Sequence, residues 1–307
     1  MPGDPSRHKA GRGYKGLRAS FALPHISLAF ILLGGADAAS KAENPSPAHS
    51  TAEVVTNAGS QETAPKSTEQ VQNFGPSASE LIDRSNKALR GDSSHARMTM
   101  TIVTPRWSRD LDIEAWNQGR EKALIMIHSP PKEKGNATLR RGSEMWVWMP
   151  KVEKVVKVPP TMMQTSWQGS DFTYEDIVKA DSIVRDYTHT VEERKSQGNF
   201  EDIRIRCDPK PDAPVVWGKV LVWCRLYPDG WTVPIREEDF NERGDRARTI
   251  KLSAIEPRDG RLVPTLLECI PERKPGQRTS IRYRALKFNI DIPDGFFSMS
   301  RLQRSGI

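Results

Sequence analysis

Between residues 97 and 289 the sequence divides into short segments in which apolar and polar residues alternate, each closed by turn-forming residues. A period of two places successive side chains on opposite faces of a strand, so each segment reads as β. The segments run 97–103, 109–116, 122–128, 144–149, from the turn after Pro150 to Pro159, and then 203–207, 217–226, 231–240, 247–255, 262–270 and 279–289. Asn117-Gln118-Gly119, Pro228-Asp229-Gly230 and Arg258-Asp259-Gly260 sit between them, as short connections of an antiparallel meander require. About eleven closely spaced strands predict a barrel or a sandwich.

Only a few stretches carry helical spacing. In residues 76–90, Leu81, Ile82, Ser85, Ala88 and Leu89 form one stripe, with Ser77 or Ser79 available as a cap and Gly91 as a stop. Residues 171–178, DFTYEDIV, read as a short helix capped by Ser170 or Asp171. Residues 184–194 fit helix or strand. The simplest architecture is mainly β: one strongly curved antiparallel sheet with a few helices on its concave side.

The first 76 residues differ in texture. Basic residues up to Arg18 precede an apolar run at 21–33 and the small-residue site Ala36-Asp37-Ala38, the layout of a secretory signal peptide over residues 1–38. An uncleaved N-terminal anchor is the other reading, although the run is short for a bilayer span. Residues 39–75 are rich in Ala, Ser, Thr, Glu and Pro with little to bury, and are expected to be a disordered linker ahead of a folded domain at 76–307. Export permits disulfides. Of Cys207, Cys224 and Cys269, the first two lie on strands expected to be neighbours and are the best candidate pair, with buried free thiols as the alternative.

The chemistry-bearing patterns are mostly missing. The sequence has no G-x-S-x-G, no H-E-x-x-H, no metal-ligand spacing among its 6 His and no cofactor motif. Glu175 and Asp176 end an acidic motif but sit at a helix start, where a structural role is expected. The chain carries a net charge of +7, which suits anionic headgroups or an acidic partner, while nucleic-acid motifs are lacking. What stands out is 135–176, which holds three of the 8 Trp and four of the 9 Met. Within 144–149, Met145, Val147 and Met149 alternate with Trp146 and Trp148, so both faces of the strand are apolar.

The residues of this stretch resemble those of the outer-membrane lipoprotein-sorting family, LolA-like periplasmic proteins, in the branch paired with exporters. The resemblance rests on Pro130-Pro131-Lys132-Glu133-Lys134-Gly135, Leu139-Arg140, the run from Trp146 to Val155 and Gly169-Ser170-Asp171-Phe172-Thr173-Tyr174-Glu175-Asp176. It continues in Asp245-Arg246-Ala247-Arg248-Thr249-Ile250 and in Ile290-Asp291-Ile292-Pro293-Asp294-Gly295-Phe296-Phe297. Trp167-Gln168-Gly169 stands where the family often has Phe-Met-Gly. The resemblance implies a half-open barrel with a helical lid and no catalysis. It also implies acyl chains of lipids or lipoproteins as ligand, an inner-membrane exporter as partner and transient membrane contact. A monomer is the expected state. Flexible Met and the aromatic rings are the expected lining: Met98, Met100, Met126, Met145, Trp146, Val147, Trp148, Met149, Met162, Met163, Trp167 and Phe172. A non-carrier module that docks on an envelope transporter is the alternative.

Overall fold

The computed structural model describes residues 75–179 and 181–304. The signal-peptide segment and all but the last residue of the linker lie outside these residues. Thirteen strands form one antiparallel sheet: β1 (Ser93–Val103), β2 (Ser108–Gln118), β3 (Lys122–Ser129), β4 (Ala137–Arg141), β5 (Glu144–Met149), β6 (Lys154–Lys157), β7 (Tyr187–Ser196), β8 (Glu201–Pro209), β9 (Lys219–Leu226), β10 (Thr232–Phe240), β11 (Arg246–Arg258), β12 (Arg261–Pro271) and β13 (Arg278–Phe288). Four short helices accompany them: α1 (Ala78–Ala88), α2 (Tyr174–Val178), α3 (Ser182–Arg185) and α4 (Met299–Gln303).

The two strands beyond the eleven expected are β4 and β7. β4 is five residues long and carries two arginines, so its alternation is hidden. The ambiguous stretch before residue 194 resolves into α3 followed by β7.

The strand order is β6-β5-β4-β3-β2-β1-β13-β12-β11-β10-β9-β8-β7. The chain therefore winds outward from β1 to one edge, crosses to the opposite edge, and winds back until β13 pairs with β1. β6 and β7 each have one neighbour, and the sheet is not closed into a barrel. This is the mainly β architecture expected from the alternation, in the half-open form that the family resemblance implies.

The sheet buries its inner face along its length and its outer face over β2–β5. On the inner face, Met98, Met100 and Ile102 of β1, Leu111 and Ile113 of β2, Ile203 and Ile205 of β8 and Ile281 of β13 join Leu81 and Ile82 of α1 in one large apolar cluster. α1 is set by a capping box in which Ser77 and Glu80 satisfy each other's backbone N–H groups. A smaller cluster lies on the outer face of β2–β5. There Leu124, Met126, Ala137 and Leu139 pack against the C-terminal segment through Ile292, Phe297 and Leu302. Alternation along β3 and β4 explains the split, since Ile125 and Ile127 go inward while Leu124 and Met126 go outward.

The three cysteines are free and buried. Cys207 pairs in register with Val220 and Cys224 with Ile203, so the two thiols are not opposite one another on β8 and β9, and of the two readings the buried free thiols hold.

Candidate functional site

The segment joining the two sheet edges, residues 158–186, covers the inner face together with α1. It is laid down in short pieces, with 3-10 turns at Pro160–Met162 and Trp167–Gly169 followed by α2 and α3. It inserts Trp167, Phe172, Ile177 and Ile183 into the inner cluster. Polar contacts pin it along its length. The Trp167 indole N–H donates to Thr138 Oγ1 on β4 at 3.2 Å. Arg109 on β2 donates to the Gln168 carbonyl at 2.5 Å and pairs with Glu133 at 2.9 Å. Asp171 accepts from Gln277 Nε2 at 2.6 Å and from Thr279 Oγ1 at 2.8 Å.

Asp171 thus binds the sheet and does not cap α2, which corrects the sequence expectation. The cap is Thr173, whose hydroxyl accepts from the Asp176 N–H while Asp176 accepts from the Thr173 N–H. A cap two residues later lets the Asp176 carboxylate turn inward, where it meets Arg248 of β11.

Arg248 is the centre of a fully buried ionic group. Its Nε donates to Asp239 Oδ2 at 2.9 Å, its terminal nitrogens reach Asp176 Oδ1 at 3.4 Å and the Asp171 carbonyl at 3.3 Å, and its guanidinium lies 5.7 Å from the Phe172 ring centre. Glu237 stands beside it on β10, buried, and its carboxyl shares a hydrogen bond with that of Asp239. A buried charge is tolerated only when paired and hydrogen-bonded. Arg248 meets that condition, and one cation faces three carboxyls. Burial pushes the Asp176 carboxyl up to about 6 even though Arg248 pulls the other way. Burial and then the neighbouring Asp239 push Glu237 well above the usual carboxylate range, and burial raises Asp239 as well. Burial opposes the charge of Arg248, but the surrounding acidic groups outweigh it and the guanidinium stays protonated.

The residues singled out from the sequence separate into three places. Met98, Met100, Met145, Val147, Trp167 and Phe172 lie in the inner cluster, and Met163 packs partly buried against it. Met126, Trp146 and Trp148 belong to the outer cluster beneath the C-terminal segment. Met149 and Met162 are exposed at the open edge. The twelve therefore do not line a single surface. The Arg248 group was missed by the sequence reading, although a signal was present. Arg248, Ile250 and Leu252 share one face of β11, and a charge in phase with two inward aliphatics has to find buried partners.

Comparison with known proteins places this geometry. A family model described as an uncharacterized protein matches residues 119–304. The chain belongs to this family. No curated protein matches the chain. Among solved structures, a DUF1329 family protein from Desulfovibrio piger superposes with a TM-score of 0.64 at 19% identity, covering 73% of this chain and 97% of that one. A LolA superfamily protein from Nitrosomonas europaea gives 0.60 at 20% identity, covering 74% of this chain and 100% of that one. An outer membrane lipoprotein-sorting protein domain from Vibrio parahaemolyticus gives 0.62 at 17% identity, with 74% and 98% covered. The family member described here has the half-open, LolA-like fold of these structures. Among its described residues, no helix is long and apolar enough to cross a membrane, and no group of three or more His, Cys, Asp or Glu is arranged to hold a metal ion.

Proposed function

We propose that the protein is an exported, non-catalytic carrier that takes acyl chains of lipids or lipoproteins into the inner face of the half-barrel. Residues 1–38 act as a signal peptide in this reading, residues 39–75 as a linker, and the periplasm is the place of work. The carrier moves cargo between membranes with an inner-membrane exporter as partner. The observation that supports it is the cover of the inner face. A largely apolar lining, interrupted by the Arg248 group, is closed by α1 and by the 158–186 segment, built of 3-10 turns and two helices of five and four residues, and not by a second sheet.

Such a segment, the lid in this reading, can leave as a unit. An acyl chain entering beneath it replaces the contacts of Trp167, Phe172, Ile177 and Ile183, and each CH₂ buried contributes about 0.8 kcal/mol. Met98, Met100 and Met145 adapt to chains of different shape because their side chains have three rotatable bonds. In this reading Met98, Met100, Met145, Val147, Met163, Trp167 and Phe172 line the chain. Met126, Trp146 and Trp148 support the wall from outside, and Met149 and Met162 stand at the entrance.

The test is uptake of a fluorescent fatty-acyl probe by detergent-free protein, with phospholipid as competitor. The carrier reading expects saturable binding that phospholipid displaces, stronger in Asp176→Asn, where the contact to Arg248 is weakened. Absence of probe binding in both proteins would turn the assignment to a docking module that uses the sheet as a surface.

A further inference from the structure

The antiparallel meander brings every second connection to the same end of the sheet. The turns after β1 (residues 104–107), after β3 (130–136) and after β5 (150–153) therefore lie side by side, within about 20 Å given a strand spacing of about 4.8 Å. Of the five large apolar side chains exposed among the described residues, three stand here: Trp107 at 46%, Val152 at 54% and Met149 at 36% exposure. The same turns and the first residue of β6 carry Arg106, Lys132, Lys134, Lys151 and Lys154, all exposed. Two acids share the site. Glu133 is held by Arg109 and Asn136, which leaves Glu153. Among the described residues, neither Lys151 nor Lys154 has an ion-pair partner. The opposite end of the same strands differs. The turns at 119–121 and 142–143 with the strand residues beside them carry Arg120, Lys122 and Arg141 against Glu121 and Glu144 and no exposed large apolar side chain, and Arg120 is paired with Asp83.

The turn that presents Trp107 is pre-shaped. Its carbonyl accepts from the Thr104 N–H at 2.9 Å, and the Thr104 hydroxyl oxygen accepts from the Trp107 N–H at 3.1 Å. An exposed indole on a fixed turn, flanked by aliphatic side chains and unpaired ammonium groups, matches a membrane–water interface, where aromatic rings sit at headgroup depth and basic residues meet anionic lipid. A partner strand is the poorer fit. The adjacent edge strand β6 is four residues long, bears Lys154 and Lys157 and is bracketed by Pro150 and Pro159, features that blunt an edge against pairing.

We propose that this end of the sheet, Trp107, Met149 and Val152 with Arg106, Lys132, Lys134, Lys151 and Lys154, is a docking surface for an anionic lipid bilayer. It deepens the carrier reading and rests on it for its purpose. Arg109, which holds the lid at Gln168, is two residues from Trp107 and its guanidinium lies 5.5 Å from the indole centre, so the surface adjoins a lid anchor.

Co-sedimentation of the exported protein, freed of residues 1–38, with vesicles tests it, comparing phosphatidylcholine alone with phosphatidylcholine containing roughly one-quarter phosphatidylglycerol. The expected result is binding to the anionic vesicles, lost as salt rises to about 0.5 M. Lys151→Glu with Lys154→Glu should weaken binding by about tenfold or more. Trp107→Ser with Val152→Ser should weaken it as well. Because these side chains are exposed, thermal melts should be unchanged; if a variant does not fold, the salt response of the unaltered protein decides. Equal binding to both vesicle types, binding to neither, or full binding by the folded variants would overturn the proposal. Acyl-probe uptake is measured on the same samples. Vesicle binding without uptake sinks the carrier reading and leaves the surface standing, and uptake without vesicle binding does the reverse.

Discussion

Arg248 and Asp176 meet 3.4 Å apart in the interior, one on a sheet strand and the other on the lid helix α2, across 72 residues of chain. The contact ties lid to sheet where neither partner reaches water. Removing one member of such a pair strands the other's charge, which costs about 3–5 kcal/mol. Arg248→Met is therefore expected to lower the unfolding free energy by about that amount in urea titration. A loss below about 1 kcal/mol would show that the group is not tightly coupled to folding.

The same group gives a pH response of definite sign. Asp176 rises from 3.8 to about 6 on folding, so the native state binds protons more readily than the unfolded chain between those values. Its stabilising contribution is complete below the unfolded value and is lost as pH rises through about 6. Glu237 and Asp239 are raised too and act in the same direction. The melting temperature is expected to rise on going from pH 7 to pH 5, and Asp176→Asn is expected to flatten that slope. A melting temperature that falls over this range in the unaltered protein, with no difference in the variant, contradicts the ionisation scheme.

Trp167 and Trp148 separate the two faces. Trp167 is 1% exposed in the inner cluster, so Trp167→Ala is expected to cost about 3–5 kcal/mol and to change acyl-probe affinity. Trp148 packs on the outer face with the C-terminal segment. Trp148→Ala is expected to destabilise less and to leave probe affinity within about twofold. Probe binding that follows Trp148 and ignores Trp167 would put the ligand on the wrong face of β5.

Residues 290–304 cover the outer cluster through Ile292, Phe297 and Leu302. Truncation after Phe288 is expected to expose Trp116, Trp146 and Trp148 and to raise binding of a hydrophobic dye at unchanged far-UV dichroism. No gain in dye binding would mean that these rings are protected without the segment.

The strand series was legible because period-two alternation survives wherever one face of a strand is buried. It failed for β4, whose inward positions are Thr138 and Arg140, a polar pair recruited by Trp167 and by the turn at Gly142. Conversely, the segment 144–149 was legible as two-faced, but which face met the lid was not. That choice depends on residues 290–304 returning to cover Trp146 and Trp148, a contact between positions far apart in sequence. The lid cap was misassigned by two residues because Ser170, Asp171 and Thr173 are all competent caps, and the long-range bonds of Asp171 to Gln277 and Thr279 select among them. Arg248 could have been noticed in phase with Ile250 and Leu252, but its partners on β10 and α2 could not have been named from spacing.

The most direct measurement of the carrier reading is native mass spectrometry, with organic extraction, of the protein isolated from the periplasm without detergent. The expected result is a one-to-one complex with an acyl-bearing molecule, released when the protein is unfolded and diminished by Trp167→Ala. A population with only the bare protein mass, unchanged after incubation with phospholipid vesicles, would contradict it.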